Sequence, residues 1–208
     1  MSVAALAEVH PGDKVLDLCA APGGKSTMLA GALMGEGLLI SNEINPGRAK
    51  ILSQNIERMG ISNAIVTNET PEKLAQRFPS FFDKVIVDAP CSGEGMFRKE
   101  EQALAMWSPE NVAACAKRQA EILEQAAVMV KSGGELVYST CTINRQENEK
   151  MADFIVRKLG LVPENLTPYL PEGFPGICGN TVQLFPDVHG TDGFFMARFR
   201  KPQDGRET

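Results

Sequence analysis

The chain has 208 residues, 43% of them apolar and 23% charged, which is enough for one domain with a sizeable core. No apolar run approaches the roughly 18 residues of a membrane span, and the opening Met-Ser-Val-Ala-Ala-Leu-Ala-Glu has no basic start, which argues against a membrane protein and a signal peptide. Lys and Arg number 21 against 26 Asp and Glu, a formal charge of −5, the wrong sign for gripping nucleic acid by electrostatics alone.

In chain order the pattern alternates strand and helix. Lys14–Leu18 reads as a short apolar strand, and Lys25–Leu33 as a helix behind Pro22-Gly23-Gly24. Leu38–Asn42 is the second strand. A helix of roughly 14 residues follows from Pro46, where proline suits a first turn, and stops at Gly60. Ala64–Thr67 is a third strand, Glu72–Arg77 a short helix and Lys84–Asp88 a fourth strand. After a long loop from Ala89 to Trp107, Ser108-Pro109-Glu110 opens a long helix with apolar positions Val112, Cys115, Ile122, Leu123, Ala126 and Val130 at helical spacing, ended by Gly133-Gly134. Glu135–Ser139 is the fifth strand and Gln146–Leu159 another helix. Prolines and glycines crowd 163–179, and Thr181–Phe185 and Gly193–Arg200 then read as a hairpin. The expected fold class is α/β, a mostly parallel doubly wound sheet with a C-terminal antiparallel hairpin. One domain over 1–201 and a disordered tail over 202–208 are expected.

Five cysteines, at 19, 91, 115, 141 and 178, form no C-x-x-C pair. That argues against a disulfide framework and a zinc site, and for free thiols in a reducing, cytoplasmic compartment. No metal and no membrane partner is expected, and a monomer is favoured, although nothing in the sequence fixes the oligomeric state.

Asp17-Leu-Cys-Ala-Ala-Pro-Gly-Gly-Lys-Ser26 lies between the first strand and first helix, where a nucleotide-like ligand is expected. Glycines there let backbone approach a ligand, and the helix N-terminus offers N–H donors. The run is neither G-x-x-x-x-G-K-S, because Cys19 stands where the first glycine is needed, nor G-x-G-x-x-G. Glu43, nineteen residues after Gly24 and just past the second strand, is placed to accept bonds from ribose hydroxyls. The bland alternatives are a plain turn and a solvated carboxylate. Together these features fit a ribose-bearing cofactor that needs no pyrophosphate, and S-adenosylmethionine meets that description better than a nicotinamide dinucleotide.

Cys91 and Cys141 each follow a predicted strand, in Val-Asp88-Ala-Pro-Cys-Ser-Gly93 and Tyr138-Ser-Thr-Cys-Thr142. Loops at the strands' C-terminal ends line the ligand crevice of an open α/β sheet, so two thiols there point to covalent chemistry. A lone cysteine is more often a small buried hydrophobe, which is the reading for Cys115 on its apolar helix face. Cys178 has no readable role. Thiols suit methylation at carbon-5 of cytosine: a thiolate adding to carbon-6 makes carbon-5 nucleophilic toward a sulfonium methyl, and loss of the carbon-5 proton then expels the thiolate. Asp88, ending an apolar strand, is placed for the ring's amidine edge. The residues themselves do not rank the two cysteines.

Gly93-Glu-Gly-Met-Phe-Arg-Lys99 reads as the flexible part of its loop, with Phe97 as a stacking face and Arg98 and Lys99 as phosphate-seeking charges, or else as an ordinary solvated loop. Asn144 before Glu147 matches a capping box. His10 and His189 have no evident partners.

These motifs, Asp17–Ser26, Asp88-Ala-Pro-Cys-Ser-Gly-Glu-Gly-Met-Phe-Arg-Lys99 and Ser139-Thr-Cys-Thr142 with Glu147-Asn-Glu149, resemble the Sun-type RNA cytosine-carbon-5 methyltransferases. The likeness runs from about Pro11 to Lys201 and is nearest to the bacterial branch acting on small-subunit ribosomal RNA. It implies a class I, Rossmann-like methyltransferase fold, S-adenosyl-L-methionine as donor, and ribosomal RNA or the small ribosomal subunit as partner. It implies that Cys19, Ala20, Ala21, Pro22, Gly23, Gly24 and Lys25 wrap the cofactor, that Glu43 holds its ribose, and that Asp88 lies between cofactor and cytosine. It assigns the nucleophile to Cys141 and product release to Cys91. Where the family commonly carries an aspartate for adenine, Asn68-Glu69-Thr70 stands here, with Asn68 or a backbone group as substitute. The bacterial branch also extends further at both ends, so the chain reads as a catalytic core alone. Two rivals remain at this point: a catalytically weak cofactor-binding core or ribosome-assembly factor lacking RNA-binding flanks, and a DNA cytosine methyltransferase, which does not need the second cysteine.

Overall fold

The computed structural model describes residues 3–97, 107–169, 177–178, 180–190 and 192–203. The chain separates into two compact units, one of residues 1–88, 125–137 and 201–208, the other of residues 89–124 and 138–200.

In the first unit, β1 (Lys14–Asp17), β2 (Leu38–Asn42), β3 (Ala64–Thr67) and β4 (Phe82–Asp88) lie in the order β3-β2-β1-β4, followed by the start of β5 (Val130–Thr140). β1 pairs in parallel with β2, from Lys14↔Leu38 to Asp17↔Ser41, and with β4, from Val15↔Lys84 to Asp17↔Ile86. β2 pairs in parallel with β3. Val15, Leu16, Leu39, Val85, Ile86 and Val87 are buried, because a parallel strand covered on both faces needs an unbroken apolar run. Helices α1 (Val3–Leu6), α2 (Gly24–Leu33), α3 (Pro46–Arg58) and α4 (Pro71–Arg77) accompany these strands. Asn45 caps α3 by accepting from the Arg48 N–H, with Pro46 in the first turn. Leu52 and Ile56 of α3 pack with Ala20 and Ala21, so the loop after β1 rests on a dry floor. Lys84 on β4 pairs with Glu135 on β5 at 2.5 Å, both largely buried.

The fourth helix-to-strand passage differs from expectation. Helix α5 (Pro109–Met129) ends three residues short of the expected Gly133-Gly134 stop, and Val130 opens β5 rather than closing the helix. Gly133 and Gly134 lie inside the strand segment. Gly133 has φ +73° and donates its N–H to the Lys201 carbonyl, while a Cβ on Gly134 would meet the Asp83 carbonyl at 2.9 Å. The glycine pair therefore serves a close backbone approach within the sheet, and it mimics a helix stop in sequence.

In the second unit, Ser108 accepts from the Asn111 N–H at the start of α5, and Val112, Cys115, Ile122 and Leu123 are buried, as their spacing predicts. The strand order is β5-β9-β8-β7, with β7 (Ile177–Cys178), β8 (Thr181–Leu184) and β9 (Phe194–Arg200), and β6 (Val162–Pro163) pairs with β9. β7–β8, β8–β9 and β6–β9 are antiparallel, so the expected hairpin forms, from Thr181↔Ala197 to Leu184↔Phe194. Its connection holds a short helix, α7 (Pro186–His189), and the two-residue strands β6 and β7 were not foreseen because they are too short to show a period. Helix α6 (Glu149–Arg157) begins three residues later than expected. Among the described residues no helix is long and apolar enough to cross a membrane, and no group of three or more His, Cys, Asp or Glu is placed to hold a metal. Of the expected tail, Pro202 accepts from the Ser132 hydroxyl, and 204–208 lie outside the described residues.

Candidate active site

The first unit builds a cradle at the C-terminal ends of β1, β2 and β3. The strand end turns at Leu18, whose N–H reaches the Ile86 carbonyl, and Ala20 donates to the Asn42 carbonyl at 2.8 Å. Side chains of α3 then fasten the loop: Arg48 donates to the Ala21 carbonyl at 2.9 Å and Asn55 to the Pro22 carbonyl at 2.8 Å. Gly23 takes φ +114°, with Leu52 already 3.0 Å from where a Cβ would stand, whereas nothing lies within 4 Å of a Cβ on Gly24. The loop is thus tight beneath and open at the first turn of α2, whose leading N–H groups have no intrahelical acceptor.

Carboxylates surround this opening. Asp17 is fully buried and accepts from the Ser26 hydroxyl at 2.7 Å, which in turn accepts from Ser41. Its Oδ1 has no hydrogen-bond partner among the described residues. Burial is the main cause that raises its pKa from the ordinary 3.8 to about 6; the nearby Asp88 adds to this, and the Ser26 bond opposes it. Glu43 is buried, accepts from the Asn45 N–H at 2.9 Å and lies 3.5 Å from Arg48 Nη1. Asp88 pairs with Lys25, each about a quarter exposed. Burial, then the charges of Asp17, Asp88 and Glu43, push the Cys19 thiol well above its usual range against the pull of Arg48. Cys19 therefore stands as a neutral thiol.

Asn42 and Asn68 tie the strand ends together. Asn42 is buried, donates to the Leu18 and Glu69 carbonyls and accepts from the Thr67 hydroxyl and the Glu69 N–H. Sequence reasoning missed it; the signal was a polar residue closing an apolar strand. Asn68 spends its amide donors on the Glu43 and Ile44 carbonyls, at 2.7 and 3.0 Å.

The second unit brings the two thiols together: Cys91 Sγ and Cys141 Sγ are 3.1 Å apart and both are partly exposed. The bond to Cys141, and then burial, push the Cys91 thiol far above its usual range. Either sulfur can be the donor across this contact, and both the contact and burial disfavour a lone thiolate on Cys91. Behind them, Glu147 accepts from the Ser92 N–H at 3.0 Å, from the Ser92 hydroxyl and from Gln119 Nε2 at 2.8 Å. This corrects the capping-box reading of Asn144 and Glu147. Asn144 accepts from the Gln146 N–H and donates to Glu94, while the Glu147 carboxylate turns inward, and α6 starts only at Glu149.

Residues 93–96 are also more firmly held than the flexible loop expected there. A short 3₁₀ turn spans Glu94–Met96, and Glu94 accepts from the Trp107 indole at 2.7 Å. Gly95 donates to the Cys141 carbonyl at 3.0 Å, and a Cβ on it would stand 2.3 Å from the Gly193 carbonyl, so only glycine fits. Arg98 and Lys99 lie outside the described residues.

A family model described as 16S rRNA methyltransferase RsmB/F matches residues 4–200. The chain belongs to that family. It is 39% identical to the ribosomal RNA small subunit methyltransferase F of Escherichia coli O157:H7 (strain EC4115 / EHEC) over 211 residues, 98% of this chain and 43% of that protein. The chain thus spans less than half the length of such RsmB/F relatives. Among solved structures it resembles NSun6 from Pyrococcus horikoshii with SFG, at 32% identity and TM-score 0.86, over 97% of this chain and 51% of that one. Precorrin-6y C5,15-methyltransferase from Geobacter metallireducens, at 15% identity and TM-score 0.61, covers 96% of this chain and 85% of its own and shares the fold alone. The fold is that of the class I methyltransferases, as the motifs of this RsmB/F member imply.

Proposed function

We propose that this chain transfers a methyl group from S-adenosylmethionine to carbon-5 of a cytosine in small-subunit ribosomal RNA, through a covalent adduct of Cys141. The observation that carries the mechanism is the 3.1 Å contact between the sulfurs of Cys91 and Cys141. Membership of the RsmB/F family supports the substrate class.

The cradle fits the donor. A buried, unpartnered Asp17 oxygen suits a ligand bearing an ammonium or sulfonium charge, and the open face at Gly24 admits backbone contact. Cys19 through Lys25 would line the donor's methionine side, Glu43 would accept from its ribose hydroxyls, and the side-chain oxygen of Asn68 would be left for adenine. When bound, S-adenosylmethionine supplies an electrophilic methyl group. Asp88, exchanging its Lys25 partner, would meet the amidine edge of the cytosine and favour the protonated ring.

Cys91 donating its S–H to Cys141 lowers the cost of a thiolate on Cys141. That thiolate adds to carbon-6, and carbon-5 becomes the nucleophile. After methylation a water molecule takes the carbon-5 proton, the freed electron pair restores the carbon-5 to carbon-6 double bond, and the carbon-6 to sulfur bond breaks with its pair returning to Cys141. The Cys91 S–H is then beside the departing sulfur and stabilises it, so attack and release use one hydrogen bond in two directions. The base must leave its stack to reach the thiols.

The rival reading, a cofactor-binding core with little turnover, is favoured by the net charge of −5. Tritiated donor assayed against naked ribosomal RNA and small subunits separates the two. Label in 5-methylcytosine with the native chain and none with Cys141→Ala is the expected result. Equal labelling by Cys141→Ala overturns the mechanism, and no labelling of either RNA by the native chain favours the rival.

A further inference from the structure

Two consecutive residues lie behind both thiols. Glu147 takes the residue after Cys91 by two donors, the Ser92 N–H and hydroxyl, and Gln119 joins it to the residue before, donating to the Pro90 carbonyl at 3.0 Å. Asn148 does the same for the other cysteine. It accepts from the Thr140 hydroxyl at 2.6 Å and donates to the Thr142 carbonyl at 3.0 Å, and a further bond to Gln183 fixes its amide. The Ser92 and Thr142 hydroxyls meet at 3.1 Å, closing the bracket between the two loops. Tyr138 anchors the clamp itself through its hydroxyl on the Glu147 carbonyl, at 2.6 Å.

Glu147, Asn148 and Gln119 are 0% exposed, and Ser92 is 5% exposed. Burying a carboxylate is costly, and burial holds Glu147 above its ordinary pKa despite three donors. Glutamine in its place would fit the space and keep one oxygen for the Ser92 N–H and Gln119, but it would reverse the bond to the Ser92 hydroxyl and replace three charge-assisted bonds with neutral ones.

We infer that Glu147 and Asn148 are positioning residues that set the spacing of the two sulfurs, Glu147 bracketing Cys91 through Ser92 and Gln119, and Asn148 bracketing Cys141 through Thr140 and Thr142. The inference rests on the proposed covalent mechanism for its use in turnover, but the spacing itself is measurable without RNA. Release depends on Cys91 meeting the departing Cys141 sulfur, so loosening the clamp slows release more than attack.

The test is the rate at which a diazene dicarboxamide oxidant converts Cys91 and Cys141 to a disulfide, followed by peptide mass mapping. The two thiols lose two protons and two electrons, which reduce the oxidant's N=N bond to the hydrazine. Glu147→Gln and Asn148→Asp should each slow this disulfide about tenfold, the scale expected when reacting atoms are misplaced by a fraction of an ångström to an ångström. Ser92→Ala, losing one hydroxyl, should slow it about threefold. With RNA, Glu147→Gln should raise the ratio of covalent adduct to product, a shift that simple loss of stability does not cause. Folded Glu147→Gln and Ser92→Ala proteins that form the disulfide at the native rate overturn the inference. If Glu147→Gln does not fold, Ser92→Ala decides alone. Slowed disulfide formation in a chain that never methylates RNA sinks the proposed function and leaves the clamp standing.

Discussion

The cradle in the first unit and the thiol pair in the second are built on opposite principles. In the cradle, loop backbone is fastened from below by Arg48, Asn55, Asn42 and Asn68, while the groups that face outward are charged and partly exposed, as in the Lys25–Asp88 pair. Around the thiols the supporting groups are buried and bonded to one another, and the two sulfurs are the partly exposed members. A cofactor site must exchange its own ion pairs for those of a ligand and so tolerates rearrangement. A covalent site must hold two atoms at a set distance through a whole cycle and does not. Changes in the cradle should therefore alter affinity, and changes near the thiols should alter which step is slow.

The largest effects should separate the two cysteines. Cys91→Ala removes the S–H that the proposed mechanism sets beside the departing sulfur, so the Cys141–RNA adduct should accumulate and survive denaturing electrophoresis, with turnover lost. Gly95→Ala should disturb the earlier step, attack by Cys141. Its Cβ would meet the Cys141 carbonyl at 2.7 Å as well as the Gly193 carbonyl, and neither is a flexible side-chain end. It should slow adduct formation while leaving cofactor affinity within about threefold of native, which equilibrium dialysis can check. A parallel loss of cofactor affinity would show that the two regions are not separable as argued.

Much of the cradle was legible in the sequence because its logic is local. Asp17 to Lys25 is one strand, one turn and one helix start, and Glu43 and Asn68 each follow a strand end. The thiols were legible for the same reason, each being just past a strand. The clamp was not. Glu147 acts on a residue 55 positions away and Gln119 on one 28 positions away, and such separations leave no spacing to read. The capping-box pattern at Asn144 and Glu147 even pointed the wrong way, because the same residue types satisfy a local helix start and a long-range network equally well. Gly133-Gly134 misled likewise, since glycine marks both a helix end and a close sheet contact.

Next in size is Glu43. Replacing it with glutamine keeps the shape and the Asn45 contact but removes the charge that faces Arg48 and that would face the ribose of the proposed cofactor. Hydrogen bonds to a charged acceptor are worth about 1.5–3 kcal/mol, so cofactor affinity should fall roughly 10- to 100-fold. Turnover at saturating cofactor should fall much less. A fall in saturated turnover equal to the loss of affinity would place Glu43 in the chemistry and not in binding.

Asp17 gives the cradle a pH dependence of its own. Its folded pKa, about 6, lies above the ordinary 3.8, so the proton favours the folded state. That stabilisation is complete below 3.8 and is lost as pH rises through about 6, a change on the order of 3 kcal/mol. A cationic ligand reverses the preference, because it binds the ionised carboxylate. Cofactor affinity should therefore rise as pH increases through about 6 and then level off. Asp17→Asn should flatten both profiles, as followed by calorimetry and by thermal melts; a native affinity that is already flat there would remove Asp17 from the donor's surroundings.

The smallest effect is expected at Asn68, where this chain departs from the aspartate that its family resemblance leads one to expect. Restoring the acid should not improve the site. The side-chain nitrogen of Asn68 lies 2.7 Å from the Glu43 carbonyl and 3.0 Å from that of Ile44, and a carboxylate oxygen there would face two acceptors with no donor between them. Asn68→Ala loses the brace but adds no repulsion, so cofactor affinity should fall about three- to tenfold, the scale of one or two neutral hydrogen bonds. Asn68→Asp should be worse than Asn68→Ala, and its deficit should shrink as the pH is lowered and the new carboxyl acquires a proton to donate. An Asn68→Asp protein that binds cofactor more tightly than native would show that position 68 reads the adenine, and that its hold on the Glu43 loop is incidental.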